Sequence, residues 1–204
     1  MLADKHGVNF EGAVTWAFEF EEQPYFAGFR VLSTNGIALP VLNVFRMFGM
    51  MGGQRLAVQS SADLGLESIR KQGVRSKPDV SALASLQNGK LCVLVWHFHD
   101  IDVPGPTAEV ELSFSQLGNV IGPVQLQHFR IDQYHSNAYE TWKRLGSPAQ
   151  PTADQYGELE RSSHLALLDS PEWVRPEKGN LTLRFALPRQ GVSLIVLDGA
   201  VGSK

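Results

Sequence analysis

The chain has 204 residues, 43% of them hydrophobic, and a formal net charge of -3. This is enough apolar material for one sizeable core, and a near-neutral charge without a basic face argues against a nucleic-acid-binding protein. No apolar run approaches the roughly 18 residues that cross a bilayer, and the single cysteine, Cys92, excludes an internal disulfide and is expected to be a buried, inert thiol.

The first predicted element is a β-strand over residues 13–20 (AVTWAFEF), where large and small side chains alternate with a period of two. The acids Glu21 and Glu22 come directly after it. Its large face would consist of four apolar side chains: Val14, Trp16, Phe18 and Phe20.

A turn at Asn35-Gly36 leads to a predicted helix that starts with Pro40 and ends before Gly52-Gly53. One strand and one helix cannot bury the large face of residues 13–20. The first 52 residues are therefore interpreted as the trailing end of a repeating strand–helix structure. We expect the orphan strand to pair with the rest of the chain, to be poorly ordered, or to pair with another copy of the chain.

From residue 54 the pattern changes to short alternating strands. Two apolar runs flank Asn88-Gly89, the pair that favours a type I′ hairpin turn. Similar alternation recurs in AEVELSF, VQLQHFRI, NLTLRFAL and GVSLIVLDG. The predicted fold of residues 53–204 is an antiparallel β-sandwich.

A helical insert at about residues 136–164 interrupts the strands. Asn137 with Glu140, and Thr152 with Gln155, stand at capping-box spacing before two helical segments. The domain boundary is predicted at residues 52–53, because no other position combines flexible residues with a change of pattern.

Trp16, Glu21 and Glu22 are the candidate functional residues. A flat aromatic surface can stack on the C–H face of a sugar, and carboxylates accept its hydroxyls. The alternative is a solvated acidic loop. Adjacent residues of an extended chain point to opposite sides, so Glu21 and Glu22 do not form the pair of carboxyl groups that glycoside hydrolysis requires.

Two other polar motifs favour structural roles. His97 and His99 have a spacing that can bind zinc, but no third ligand is evident, and histidines bonded to loops are expected instead. Arg130 and Asp132 share a strand face and are expected to pair. Neither a metal site nor a cofactor site is predicted, since phosphate-binding glycine motifs are also absent from the sequence.

Two long segments, residues 16–53 and 129–160, carry a family resemblance. Together they are similar to the C-terminal portion of glycoside hydrolase family 39, which includes β-xylosidases and lysosomal α-L-iduronidases. The resemblance implies a (β/α)8 barrel followed by a β-sandwich. Residues 1–52 would then supply the last strand and helix of the barrel, and residues 53–204 the sandwich.

The resemblance also implies a function. Family members are retaining enzymes whose two catalytic glutamates come from earlier barrel strands, so no catalytic residue is assigned here. By likeness, Trp16 lines the subsite of the cleaved sugar and Glu21 and Glu22 accept its hydroxyls. The partners implied are a xylose-containing oligosaccharide and a missing N-terminal barrel portion, and the isolated chain is expected to be inactive. The alternative is a non-catalytic carbohydrate-binding or scaffold module.

Overall fold

A computed structural model of the protein describes residues 9, 19, 23–27, 32–117 and 122–199. Apart from Glu19, the predicted strand at residues 13–20 lies outside these ranges. So do all three candidate sugar-contacting residues, Trp16, Glu21 and Glu22. Their placement therefore stays a prediction.

The described residues form eleven strands and four helices. The strands are β1 Ser33–Thr34, β2 Ile37–Ala38, β3 Gln54–Leu56, β4 Asp79–Gln87, β5 Lys90–Phe98, β6 Ala108–Phe114, β7 Val124–Ile131, β8 Ala166–Leu167, β9 Glu172–Val174, β10 Leu181–Leu187 and β11 Val192–Asp198. The helices are α1 Pro40–Met50, α2 Leu66–Gln72, α3 Ala138–Arg144 and α4 Ala153–Ser163. None of these helices is long and apolar enough to cross a membrane.

The main sheet is antiparallel and has seven strands in the order β3-β4-β5-β11-β7-β8, with β9 also paired to β7. The predicted β4–β5 hairpin is confirmed, since Gln87 pairs with Lys90 and the turn residues Asn88 and Gly89 have φ angles of 51° and 77°. Both φ values are positive, as a type I′ turn requires. A separate ribbon of β6 and β10 faces the sheet. The mainly antiparallel β architecture is thus confirmed.

Successive side chains of a strand point to opposite faces of the main sheet, and both faces are buried. Leu91, Val93 and Val95 of β5 belong to the core between the sheet and the β6–β10 ribbon. Cys92 and Leu94 belong to a second core on the opposite face. Cys92 is 2% exposed, and burial raises the pKa of its thiol, which confirms a buried residue with little thiolate character.

Helix α1 covers this second face. Met47 is fully buried against the sheet, with Val44 and Met50 packed beside it. Helix α1, which precedes the predicted boundary at residues 52–53, therefore shares a core with strands β5, β7 and β11, which follow it. The assignment of α1 to a barrel stays a prediction.

The helical insert is confirmed as α3 and α4. Asn137 accepts a hydrogen bond from the Glu140 N–H at the start of α3. Thr152 and Gln155 form a complete capping box at the start of α4. The insert packs against the β1–β2 hairpin through a small core of Ile37, Ala138 and Leu159.

Candidate functional site

The described residues on either side of Glu21 and Glu22 both contact the β1–β2 hairpin. Before the acids, Glu19 Oε2 accepts a 2.6 Å hydrogen bond from Ser33 Oγ. After them, the Phe26 N–H donates to Thr34 Oγ1 at 3.1 Å. The hairpin therefore contacts the chain at Glu19, before the acids, and at Phe26, after them.

Phe26 is the aromatic anchor of this segment. Its ring centroid lies 5.1 Å from that of Trp142 and 5.7 Å from that of Tyr139, both on α3. Trp142 is itself fixed, because its Nε1–H donates to the Pro148 carbonyl at 2.9 Å. Phe26 has a φ of 58°, a left-handed conformation that is rare for a bulky residue. The surrounding aromatic contacts stabilise this strained backbone at the exit from the acidic segment.

Helix α4 supports the hairpin from the other side. The Tyr156 hydroxyl donates to the Asn35 carbonyl at 3.2 Å, across 121 residues of sequence. Burial, with a smaller effect from Tyr156, raises the pKa of Tyr25. Tyr25, Phe26, Trp142 and Tyr156 all pack against the Ile37–Leu159 core. The insert thus braces the chain that follows Glu22, a role that the sequence patterns did not indicate.

The two strand-end histidines bond to backbone groups, as expected. His97 Nδ1 lies 2.9 Å from the Leu187 carbonyl. His99 Nε2 lies 3.0 Å from the Arg75 carbonyl, and its Nδ1 accepts from the Ile101 N–H at 3.1 Å. Within the described ranges, no group of three or more His, Cys, Asp or Glu could hold a metal ion.

The expected Arg130–Asp132 ion pair is confirmed and is deeply buried. Arg130 Nη1 lies 3.3 Å from Asp132 Oδ2, with the two side chains 4% and 3% exposed. Asp132 Oδ1 also accepts from the backbone N–H groups of Tyr134 and His135 and lies 2.8 Å from His135 Nδ1. Ser136 Oγ donates to the Arg130 carbonyl, so the neighbouring Ser, His and Asp do not form a catalytic relay.

This buried network extends to His128 and Ser193, which sequence reasoning missed. Ser193 Oγ lies 2.9 Å from both Arg130 Nε and His128 Nε2. Burial and the Arg130 charge lower the pKa of His128 to about 4, so the ring is neutral at pH 7. The spacing of His128 and Arg130 on one strand face was a usable signal, but Ser193 lies more than sixty residues away.

The family model described as Glycosyl hydrolases family 39 matches residues 11–167. A β-xylosidase from Caldicellulosiruptor saccharolyticus is 24% identical over 193 residues, which cover 90% of this chain and 36% of that protein.

Solved structures show the same fold. A monomeric β-xylosidase from Caulobacter crescentus CB15 superposes with a TM-score of 0.63 at 17% identity, over 90% of this chain and 36% of that one. A bacterial orthologue of human α-L-iduronidase superposes with a TM-score of 0.61 at 21% identity, over 82% of this chain and 28% of that one. The chain therefore spans only about a third of the length of these relatives.

Proposed function

The chain belongs to glycosyl hydrolases family 39, and we propose that it is the C-terminal part of a retaining hydrolase of the β-xylosidase type. In this proposal the complete enzyme releases terminal xylose from xylo-oligosaccharides. Trp16 stacks on the sugar, and Glu21 and Glu22 accept its hydroxyls. The observation that supports the proposal is the family match over residues 11–167, which includes all three of these residues.

Fixed contacts before and after the two acids suit sugar recognition. Carboxylates that bind hydroxyls must be held within a fraction of an ångström to favour one sugar geometry over another. The ring contacts of Phe26 with Trp142 and Tyr139 supply rigidity just after the acids. We therefore assign the insert a positioning role, with no direct part in bond cleavage.

The isolated chain is expected to show no turnover of an aryl β-xyloside. Retaining hydrolysis needs a nucleophile and an acid/base about 5 Å apart, and by the family resemblance both glutamates belong to barrel strands outside this sequence. Release of the aryl group should be followed by absorbance, with a full-length family β-xylosidase as the positive control. Turnover that co-purifies with the chain would show that it carries its own catalytic pair, contrary to the proposal.

The proposed partner is the remaining portion of a (β/α)8 barrel. Val41, Phe45 and Phe48 lie at helical spacing on the outer face of α1, and each is 44–46% exposed. Phe48 also borders an apolar surface depression of about 350 Å³ shared with Trp96 and Phe98. An apolar face of this extent is typical of a protein interface. Covering it is the role that we propose for the barrel.

Without that partner, the chain is expected to self-associate as its concentration rises. The Phe45→Ser/Phe48→Ser variant should remain closer to the 22.5 kDa monomer in sedimentation velocity, because it removes most of the apolar outer face of α1. Trp173→Ser is the matched control, since that side chain is 68% exposed on β9. Association that persists in the double variant would instead implicate the predicted strand at residues 13–20, and a strictly monomeric parent chain would contradict both routes.

A non-catalytic carbohydrate-binding module is the second candidate function. One observation favours it: an open cleft of mixed polarity lies between the main sheet and the β6–β10 ribbon.

A further inference from the structure

The cleft lies where the β6–β10 ribbon leaves the main sheet incompletely covered. Its volume is about 280 Å³. The consecutive residues 182–185 of β10 line one wall, so the edge of this strand borders the cleft. Within the described ranges, β10 pairs with β6 alone, and its other edge therefore presents backbone N–H and C=O groups without strand partners. The segment between β8 and β9 forms the opposite wall.

The floor of the cleft is apolar except at one position. Leu126 and Ile195 of the main sheet lie beside Phe185 of the ribbon. The exception is His128, whose ring meets that of Phe185 edge to face at a centroid distance of 4.9 Å. A neutral imidazole has one N–H donor and one acceptor nitrogen, and because Nε2 already lies 2.9 Å from Ser193 Oγ, only Nδ1 is left for a ligand. The floor thus combines a flat apolar surface with a fixed, uncharged polar group.

The rim of the cleft carries two carboxylates, Asp169 and Glu172, together with the Ser170 hydroxyl. All three side chains are exposed. In the part of the chain that the structure describes, neither carboxylate forms an ion pair, whereas the Arg184 guanidinium on the neighbouring wall is bound to Glu111 at 2.8 Å. Both rim acids are therefore available to accept hydrogen bonds from a ligand.

These features together select a class of ligand. The two unpaired carboxylates disfavour an anion, and the apolar floor disfavours a bare, strongly hydrated cation. A volume near the lower end of ligand sites, which begin at roughly 300 Å³, suits a small molecule better than a long extended peptide. A sugar ring offers hydroxyl donors for the carboxylates, hydroxyl acceptors for N–H groups and a C–H face for the floor.

We propose that this cleft is a binding site for a neutral saccharide of one or two rings, with Asp169 and Glu172 as the hydroxyl acceptors and Phe185 as the apolar contact. The site is built from the sandwich alone. The proposal rests on the second candidate function, the carbohydrate-binding module, and does not depend on the proposed hydrolase activity or on Trp16.

The test is an NMR titration of the purified chain with xylose and with xylobiose, observed at the methyl groups of Leu126, Leu183 and Ile195. Saturable shifts with a Kd of about 1–10 mM are expected. The Asp169→Asn/Glu172→Gln variant should bind at least about tenfold more weakly, because it exchanges two charged acceptors for amides.

Two matched variants complete the design. Glu158→Gln/Glu160→Gln removes the same number of exposed carboxylates from α4 and should bind as the parent does. Trp16→Ala should also leave these methyl shifts unchanged, which separates this site from the proposed barrel subsite. The proposal is overturned if neither sugar shifts the methyls at about 50 mM, if the Asp169/Glu172 variant binds with unchanged affinity, or if a basic peptide saturates the cleft while the sugars do not.

Discussion

Asp132→Ala is expected to lower the free energy of unfolding by about 3–5 kcal/mol, because it leaves a buried guanidinium without its partner. Arg130 is 3% exposed, and its other contacts, Ser193 Oγ and the Ala186 carbonyl, carry no compensating charge. The substitution also removes the acceptor for the N–H groups of Tyr134 and His135, which shape the turn after β7. The expected loss therefore combines an uncompensated charge with unsatisfied turn donors.

Urea unfolding followed by circular dichroism measures this loss, and the chain supplies a matched control. Arg184 and Glu111 form the same type of ion pair at 2.8 Å, but their side chains are 77% and 57% exposed. Glu111→Ala should cost no more than about 1 kcal/mol, as is usual for surface pairs. Equal losses in the two variants would show that burial of the Arg130–Asp132 pair is not what makes it important.

The pH dependence of stability gives an independent check on Asp132. Burial by itself would raise the pKa of this carboxyl, but hydrogen bonds from Tyr134 and His135 and the nearby positive charges outweigh burial and lower it. A carboxyl whose pKa is lower in the folded state stabilises the protein above its unfolded value, about pH 4. That stability is lost as the pH falls through the folded pKa. Below about pH 4, the free energy of unfolding of Asp132→Ala should therefore fall less steeply with pH than that of the parent chain.

The sequence predicted the elements that can be recognised from patterns among neighbouring residues. Strands β6, β7 and β10 alternate over seven or more residues, and the Asn88-Gly89 turn and the Thr152 cap are short-range signals. The Arg130–Asp132 pair was also predictable, because two residues on one strand face must lie side by side. Strands β8 and β9 were missed because two or three residues are too few to show a period.

The contacts of the helical insert with Phe26 and with the β1–β2 hairpin could not be predicted, because they join distant parts of the sequence. Nothing local to Phe26 indicates a partner at Trp142, and nothing near Tyr156 indicates Asn35. The interpretation of Glu21 and Glu22 as sugar-binding residues therefore depended on residue chemistry and family resemblance, and the described structure adds only the contacts of Glu19 and Phe26 on either side.

Asn43 connects α1 to the helical insert, which packs against Phe26. Its side chain is fully buried, and its Nδ2 donates to the carbonyls of Ser136 and Ser163 at 3.0 and 2.9 Å. These two carbonyls stand at the beginning and the end of the helical insert. One amide group on α1 therefore fixes both ends of the insert that packs against Phe26.

Asn43→Asp is expected to lower the free energy of unfolding by about 3–5 kcal/mol with almost no change in side-chain volume. The substitution leaves two buried carbonyl groups without donors and places a carboxylate oxygen against them. Arg46, which donates to Asn43 Oδ1 at 2.7 Å, can offset only part of this cost, because it lies on the side away from the carbonyls. Hydrogen exchange should show weaker protection of the α3 and α4 amides than of the β5 and β11 amides, since the main sheet keeps its own core.

The free energy of unfolding of Asn43→Asp should rise as the pH falls, whereas the stabilisation provided by Asp132 is lost as the pH falls. Burial beside two carbonyls raises the folded pKa of the introduced carboxyl, so its penalty grows as the pH rises above about 4 and shrinks when the group is protonated and can donate to one carbonyl. Asn180→Asp is the control, because Asn180 is exposed and bonds to the Lys178 carbonyl within its own turn. A pH-independent loss in Asn43→Asp would mean that packing, and not the two donated hydrogen bonds, accounts for the role of Asn43.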